Sequence, residues 1–280
     1  MTEILLACCF AFLLIIAVCV VLVYRRLQRA HHGIVGQMER WVVGSLSSIE
    51  TRLRFHSALQ SPGEIDVVVV VTRDRSALLE PCLRSIHHHE PGAHIIAVDV
   101  GSTDNTANVL QRLVHERVVS TTINHAPMSV AQWQKGYGIH EAWRVASMLH
   151  PRSITVVDDD MVVREPFLAA CATVCEHAEV RVVALHRDST QEKNHPVVKT
   201  IEHDGMRIEL GATFNGAAFH MPWTTLHAWG PPPYNEGKTE SGVEDWYYSR
   251  ALEQEGKHAA FLHRVDEQAD VTSLRDAVIP

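Results

Sequence analysis

The sequence from Ser153 to Asp160 reads SITVVDDD. Its first five residues are typical of a buried β-strand, and three carboxylates follow directly. Carboxylates packed together repel one another and lose hydration when they are buried. A hard cation such as Mg²⁺ or Mn²⁺, which takes oxygen ligands and substrate phosphates, would relieve this cost. The triplet therefore predicts a site for a metal ion and a diphosphate, and a solvated acidic turn is the alternative.

Strands and helices alternate on the amino-terminal side of this triplet. The predicted strands are 65–72, 93–98, 118–122 and 153–157, and the predicted helices between them are 76–87, 104–114 and 131–149. This order favours an α/β domain with an open, mostly parallel sheet flanked by helices. In such sheets ligands bind beyond the carboxyl ends of the strands, where Asp99, Asp158 and Asp160 fall.

The second half of the chain has a less regular pattern. It predicts helices at 166–177 and 243–254, strands at 181–187 and 259–263, and two or three partly antiparallel strands within 196–219. A run rich in proline and glycine, from Gly230 to Gly237, predicts a long loop. Long loops beside a site often serve as lids or substrate loops.

The amino-terminal residues predict a membrane anchor. Residues 4–24 are uncharged and almost wholly apolar, and about 20 such residues span a bilayer. We therefore expect an anchor at 4–24, a juxtamembrane helical stalk at 25–61 and one domain at 62–280. Arg25, Arg26 and Arg29 follow the anchor, so the positive-inside rule predicts a cytosolic domain. A domain in the lumen of the Golgi or ER is the alternative topology.

The composition of the chain limits the classes of partner that it can be expected to bind. The net charge of −8 gives no support to nucleic-acid binding. Only three of the six cysteines lie outside the predicted anchor, which is not the pattern of a disulfide framework. The membrane, reached through the amino-terminal helix, is the one partner that composition predicts.

Three motifs resemble those of family 2 glycosyltransferases of the GT-A fold. Residues 95–106, IIAVDVGSTDNT, resemble the family segment VVDDGSTDNT; residues 157–160, VDDD, resemble its DxD motif; and residues 242–246, GVEDW, resemble its ED acceptor motif. The resemblance covers about residues 65 to 265. Val100 and Gly136 depart from the family pattern, because the family has a second acidic residue and commonly an Asn at these positions.

The resemblance implies transfer of a sugar from a nucleotide-sugar donor to a hydroxyl group, with Mn²⁺ or Mg²⁺ as cofactor. It implies that the donor contacts Thr72, Arg73, Asp99, Lys135 and Asp158. Asp158, Asp160 and His263 would hold the metal ion. Alternation along an extended chain would turn Asp159 away from the site, where it would be structural.

The acceptor side follows from the same resemblance. Asp245 is the candidate general base, because direct displacement at the anomeric carbon requires the acceptor hydroxyl to lose its proton. Glu244 would orient this base or bind the acceptor. The remaining acceptor residues are Trp223 and Trp246, as stacking surfaces for sugar rings, with Asn215 and Gly216. No separate nucleophile is evident in the sequence, and this favours one-step inversion. The predicted anchor suggests that the acceptor is a glycan, is lipid-linked or lies close to the membrane.

Two other functions remain open at this stage. A nucleotidyltransferase uses a similar sheet and metal ion, but it would need a glycine-rich, basic phosphate loop after the first strand, and residues 72–75 contain no glycine. A membrane-tethered binding protein without catalytic activity is the third possibility. The intact Asp158, Asp160 and Asp245 argue against it.

Overall fold

A computed structural model describes residues 63–126, 135–186, 193–231 and 243–268. The strands are β1 (Asp66–Thr72), β2 (His94–Asp99), β3 (Thr121–Asn124), β4 (Ser153–Asp158), β5 (Met161–Val163), β6 (Val180–Ala184), β7 (Val197–His203), β8 (Met206–Gly211), β9 (Ala218–Pro222), β10 (His258–Phe261) and β11 (Val265–Glu267). The helices are α1 (Ser76–His89), α2 (Thr106–His115), α3 (Lys135–Ala146), α4 (Leu168–Cys175), α5 (Trp223–Trp229) and α6 (Val243–Glu255).

The predicted anchor at 4–24 and the predicted stalk at 25–61 lie outside these ranges. Within the residues that the structure describes, no helix is both long and apolar enough to cross a membrane. Most of the loop predicted after Gly230 also lies outside the described residues.

The described strands form a mixed sheet in the order β3-β2-β1-β4-β9-β6-β10-β8-β7. The strands β3, β2, β1 and β4 run parallel, as the sequence predicts. Beyond β4 the only parallel pair among these strands is β6 with β10, and the other pairs are antiparallel. The predicted α/β class with flanking helices is confirmed, whereas "mostly parallel" is wrong for this half of the sheet.

The direction of β9 explains the departure. Ala218 pairs with Val157 near the carboxyl end of β4, and Pro222 pairs with Ser153 at its start. A strand that begins at the carboxyl edge can only run antiparallel to β4. Phe214, in the preceding connection, is buried against Phe219. The connection 212–217 therefore returns the chain to the edge where the acidic triplet lies.

A second, two-stranded sheet pairs β5 with β11. The sequence did not predict these strands, because three residues are too few to show a period. The pairing brings residues near 268 beside the turn that follows β4.

Helices cover both faces of the sheet. In β1, Val68 and Val70 face a core built with α1, α2 and α4. Val67, Val69 and Val71 face a second core built with α3, α5 and α6. Each of these valines is buried, which explains why the strand is a continuous valine run rather than an alternating one.

Helix α3 packs closely on β1 through Gly138. A Cβ atom at this position would lie 2.4 Å from Cγ1 of Val71 and 3.1 Å from Cγ2 of Val100, and both valines are buried. We expect Gly138→Ala to lower the free energy of unfolding by about 1–3 kcal/mol through overpacking. In the same helix a Cβ at Gly136 would meet nothing within 4 Å. Gly136→Ala is the control and should stabilise by up to about 1 kcal/mol through helix propensity. Equal changes in the free energy of urea unfolding for the two variants would contradict the close packing of Gly138 as the cause.

The buried His220 makes stability depend on pH. Its ring Nδ1 lies 2.9 Å from Oγ1 of Thr155, and burial lowers the pKa of His220 to about 4. An unfolded histidine takes a proton near pH 6.5, so stability is complete above about pH 6.5 and falls as the pH drops towards about 4. The total loss should be about 3 kcal/mol. Urea unfolding of the unchanged protein and of His220→Asn across this pH range measures the loss. If the free energy of unfolding of both proteins changed with pH in the same way, His220 would not be the cause.

Candidate functional site

Three strands present polar side chains at one edge of the sheet. Thr72, the last residue of β1, is in register with Asp99 of β2, and Val71 is in register with Asp158 of β4. Asp99 and Asp158 therefore flank the end of β1. This edge is the one at which parallel α/β sheets bind ligands.

The acidic triplet is not extended throughout. Strand β4 ends at Asp158, and Asp159 and Asp160 form the turn to β5. Oδ1 of Asp159 and Oδ2 of Asp160 consequently accept hydrogen bonds from the same nitrogen of Arg75, at 2.8 Å and 3.1 Å. Side-chain alternation thus stops after Asp158, and the prediction that Asp159 turns away from Asp160 is wrong, because the turn brings both side chains to one guanidinium group. Thr72 Oγ1 also donates to Oδ2 of Asp159 at 2.7 Å, so Asp159 is held by two elements.

Asp158 faces a different cation. Its Oδ1 lies 2.5 Å from Nζ of Lys135, which also donates to the carbonyl oxygen of Gly216 at 2.8 Å. Burial raises the pKa of Asp158 to about 7, although the nearby ammonium group acts to lower it. Lys135 thus connects α3, the acidic strand end and the connection 212–217. The structure brings the predicted Lys135, Asp158 and Gly216 together.

Burial also governs the other charged groups of the turn. It raises the pKa of Asp159, while Arg75 and Thr72 oppose the rise. Burial acts to lower the pKa of Arg75, but the carboxylates of Asp159 and Asp160 outweigh it and the pKa is raised. Arg75 and Lys135 thus place two positive charges against the three carboxyl groups of the strand end and turn.

The donor atoms fit a hard divalent cation in part. Asp158 and Asp160 supply carboxylate oxygens, the ligands that Mg²⁺ and Mn²⁺ prefer, and a diphosphate with water could complete the coordination. Within the described ranges, no three His, Cys, Asp or Glu side chains converge on one point. His263 accordingly does not join the two aspartates in such a group; its side chain is 57% exposed, and its Nε2 lies 2.8 Å from Oδ1 of Asp266.

Two loops at the ends of β1 and β2 support one another. The buried Asp99 accepts a hydrogen bond from the backbone N–H of Ser102 at 2.8 Å. Asp74 accepts from the backbone of Thr103 at 2.6 Å, and Asp104 accepts from the backbone of Ser76 at 3.0 Å. These bonds hold the connection after β1, which includes the predicted Arg73, against the connection after β2.

The predicted acceptor residues are divided between two places. Trp223 does not lie at the ligand edge: it follows Pro222, which pairs with Ser153 at the opposite end of β4, and it is buried in the core. Its assignment to the acceptor is wrong for that reason. Trp246 is 58% exposed, with the guanidinium carbon of Arg250 5.1 Å from its ring centre. Asn215 holds the turn before β9, since its Oδ1 accepts from the backbone of Ala217 at 2.9 Å.

The predicted base lies in the first turn of α6. Oδ1 of Asp245 accepts a hydrogen bond from the backbone N–H of Trp246 at 2.7 Å. The side chain of Glu244 lies outside the described part of the structure. Asp245 is half-buried, and the ring of the next residue, Trp246, is exposed.

Two residues of the site, Arg75 and Gln268, are not predicted by the sequence analysis. Arg75 could have been found, because a basic residue at the entry to the helix after β1 must lie near the carboxyl edge. Gln268 carries no such signal. Its backbone N–H donates to the carbonyl oxygen of Asp160 at 3.0 Å and its side chain donates to that of Leu78 at 2.9 Å. It ties the acidic turn to α1.

Comparison with known proteins identifies the family of this chain. Residues 67–230, more than half of the chain, match the family described as Glycosyl transferase family 2. The chain belongs to this family, which confirms the family resemblance and places the chain among the glycosyltransferases; the third motif, at 242–246, lies outside the matched residues. No curated protein matches the chain.

Two solved structures share the fold. One is a mannosyltransferase from Pyrobaculum calidifontis in complex with GDP-Man and Mn²⁺, with 15% identity, a TM-score of 0.51, and coverage of 81% of this chain and 64% of that chain. The other is S. aureus TarS 1-349, with 12% identity, a TM-score of 0.50, and coverage of 74% and 61%. This chain spans less than two thirds of either protein. At these identities the likeness concerns the fold alone.

Proposed function

We propose that this protein is a metal-dependent glycosyltransferase that moves a sugar from a nucleotide-sugar donor to a hydroxyl group, with inversion at the anomeric carbon. The observation that supports it most strongly is the meeting of Asp99, Asp158 and Asp160 with Lys135 and Arg75 at the carboxyl edge of the sheet. Family membership supplies the reaction class.

The donor lies across the ends of β1, β2 and β4 in this proposal. Asp99 and the cross-linked loops beside it receive the nucleoside, with Thr72 and Arg73 at the end of β1. Lys135 lies within reach of a diphosphate bound against Asp158, where its charge offsets that of the phosphates. GDP-Man, the ligand in the complex of the Pyrobaculum enzyme, is of this donor class.

Asp158 and Asp160 are the proposed holders of Mn²⁺ or Mg²⁺. When bound, the cation would stabilise the negative charge that grows on the departing nucleoside diphosphate. The Mn²⁺ in the Pyrobaculum complex supports this choice of ion.

Asp245 is the proposed general base. It takes the proton of the acceptor hydroxyl as that oxygen attacks the anomeric carbon, so the carbon–oxygen bond to the acceptor forms while the bond to the diphosphate breaks. A single displacement inverts the configuration. The exposed ring of Trp246, one residue away, offers a stacking surface for the acceptor.

We also propose that residues 4–24 anchor the enzyme and that its acceptor is lipid-linked or otherwise close to the membrane. The arginines after the anchor favour a cytosolic domain. Protease treatment of sealed vesicles tests the topology. Digestion of a cytosolic domain is expected, and protection would place the domain in a lumen.

A panel of nucleotide sugars tests the reaction. The full-length chain is offered UDP- and GDP-sugars with Mn²⁺, Mg²⁺ or EDTA, and nucleoside diphosphate release is followed. Release that EDTA abolishes is the expected result. Release of pyrophosphate from a nucleoside triphosphate would point instead to a nucleotidyltransferase, and nucleotide binding without turnover would point to a binding protein.

A further inference from the structure

Arg75 occupies a position at the acidic turn that the family motifs do not account for. Its terminal nitrogen donates to Asp159 at 2.8 Å and to Asp160 at 3.1 Å. Asp159 and Asp160 have side chains only 5% and 7% exposed, whereas Arg75 is 38% exposed. A solvent-facing cation therefore caps two buried carboxylates, one of them a proposed metal ligand.

Arg75 holds the two carboxylates at different distances. Asp159 has a second fixed partner, the hydroxyl of Thr72, at 2.7 Å from its other oxygen, so it can keep its place and its contact with the guanidinium group. The bond from Arg75 to Asp160 is the longer of the pair. The backbone of Asp160 is fixed separately by the N–H of Gln268 at 3.0 Å. The Asp160 side chain can thus change partner without loss of the turn.

We infer that Arg75 is a positioning residue that acts as an internal counter-cation for Asp160, and that a divalent metal ion must displace it from this carboxylate in order to bind. The inference rests on the proposed function, because it takes Asp160 as a metal ligand. The guanidinium group compensates the buried charge while the metal is absent. It keeps Asp159 in place when Asp160 turns to the metal.

The inference predicts an effect on metal affinity opposite to that of a structural support. A competing cation weakens metal binding, both by occupying a ligand oxygen and by repelling the ion. Removing it should tighten binding, whereas removing a mere support should weaken it. We expect Arg75→Met to bind Mn²⁺ roughly tenfold more tightly than the unchanged protein.

The experiment measures Mn²⁺ binding by the full-length chain, from the electron paramagnetic resonance signal of free Mn²⁺. Titrations are run with Mn²⁺ alone and with UDP or GDP present. Arg84→Met removes the same charge from an exposed arginine of α1 that pairs with Glu80 and Glu116, and it should leave affinity unchanged. Thr72→Val loosens Asp159 but keeps the guanidinium group, and it should not tighten binding. Should Arg75→Met fail to fold, Arg75→Lys is expected to tighten binding by at least about twofold, since one ammonium group reaches two carboxylates less well.

The outcomes separate this inference from the proposed function. If the unchanged protein binds Mn²⁺ and Asp160→Asn does not, the metal site stands; unchanged or weaker binding by Arg75→Met then overturns the role of Arg75 alone. Equal tightening by Thr72→Val also overturns it, because loosening of the turn would explain both. If neither the unchanged protein nor Arg75→Met binds Mn²⁺ under any of these conditions, both proposals fall.

Discussion

Asp160→Asn is expected to reduce metal-dependent sugar transfer by roughly a thousandfold or more. The amide keeps the size of the side chain but is a poor ligand for a hard cation, so charge on the departing diphosphate loses its main compensation. The fold should survive, because the turn is also held through the Asp160 backbone by Gln268. Initial rates of nucleoside diphosphate release, with saturating Mn²⁺ and the best donor of the panel, measure the effect.

A carboxylate outside the edge provides the control for this variant. Asp266 pairs with Arg164 and His263 and is not part of the proposed machinery. Asp266→Asn should retain transfer close to that of the unchanged protein. Retention of metal-dependent rates by Asp160→Asn would show that another residue holds the ion.

Asp245→Asn is expected to lower transfer by about 10²–10⁴-fold while leaving donor binding intact. The loss follows because an amide cannot accept the proton of the attacking hydroxyl. The side chain belongs to the first turn of α6 and is proposed to meet the acceptor hydroxyl rather than the nucleotide, so the Kd for the donor should change little. Calorimetric titration with the nucleotide sugar and Mn²⁺, next to steady-state transfer rates, separates the two effects.

Glu253→Gln in the same helix is the matched control, since Glu253 is exposed and lies in its last turns. Its transfer rate should equal that of the unchanged protein. A near-normal rate for Asp245→Asn would assign the base to another group. Equal losses of donor affinity and rate would instead make Asp245 part of the donor site.

The ligand edge could be predicted from the sequence because its signals are local. The valine run of β1 requires burial on both faces, and that places it at the centre of a parallel sheet. Carboxylates that end parallel strands must then meet at one edge, which is how Asp99 and Asp158 came together. The register of β1 with β2 and β4 agrees with that argument.

The errors concern features that depend on distant partners. Trp223 was assigned to the acceptor because tryptophan is a good sugar platform, but the direction of β9 carries it to the far end of the sheet. Asp159 and Asp160 share a partner only because the chain turns after β4. The two aspartates themselves form this turn, and without a glycine or proline the sequence does not indicate it. The shared partner, Arg75, is more than eighty residues away in sequence.

The double burial of β1 has a consequence for motion. Each valine of this strand belongs to one of two cores, so the strand can separate from its neighbours only when both layers open together. Its amides should therefore exchange with solvent only through global unfolding, whereas the loops beyond its carboxyl end can open locally. The loops beyond β1 can thus open about a fixed point, and the distance between Asp99 and Asp158 stays constant while they do so.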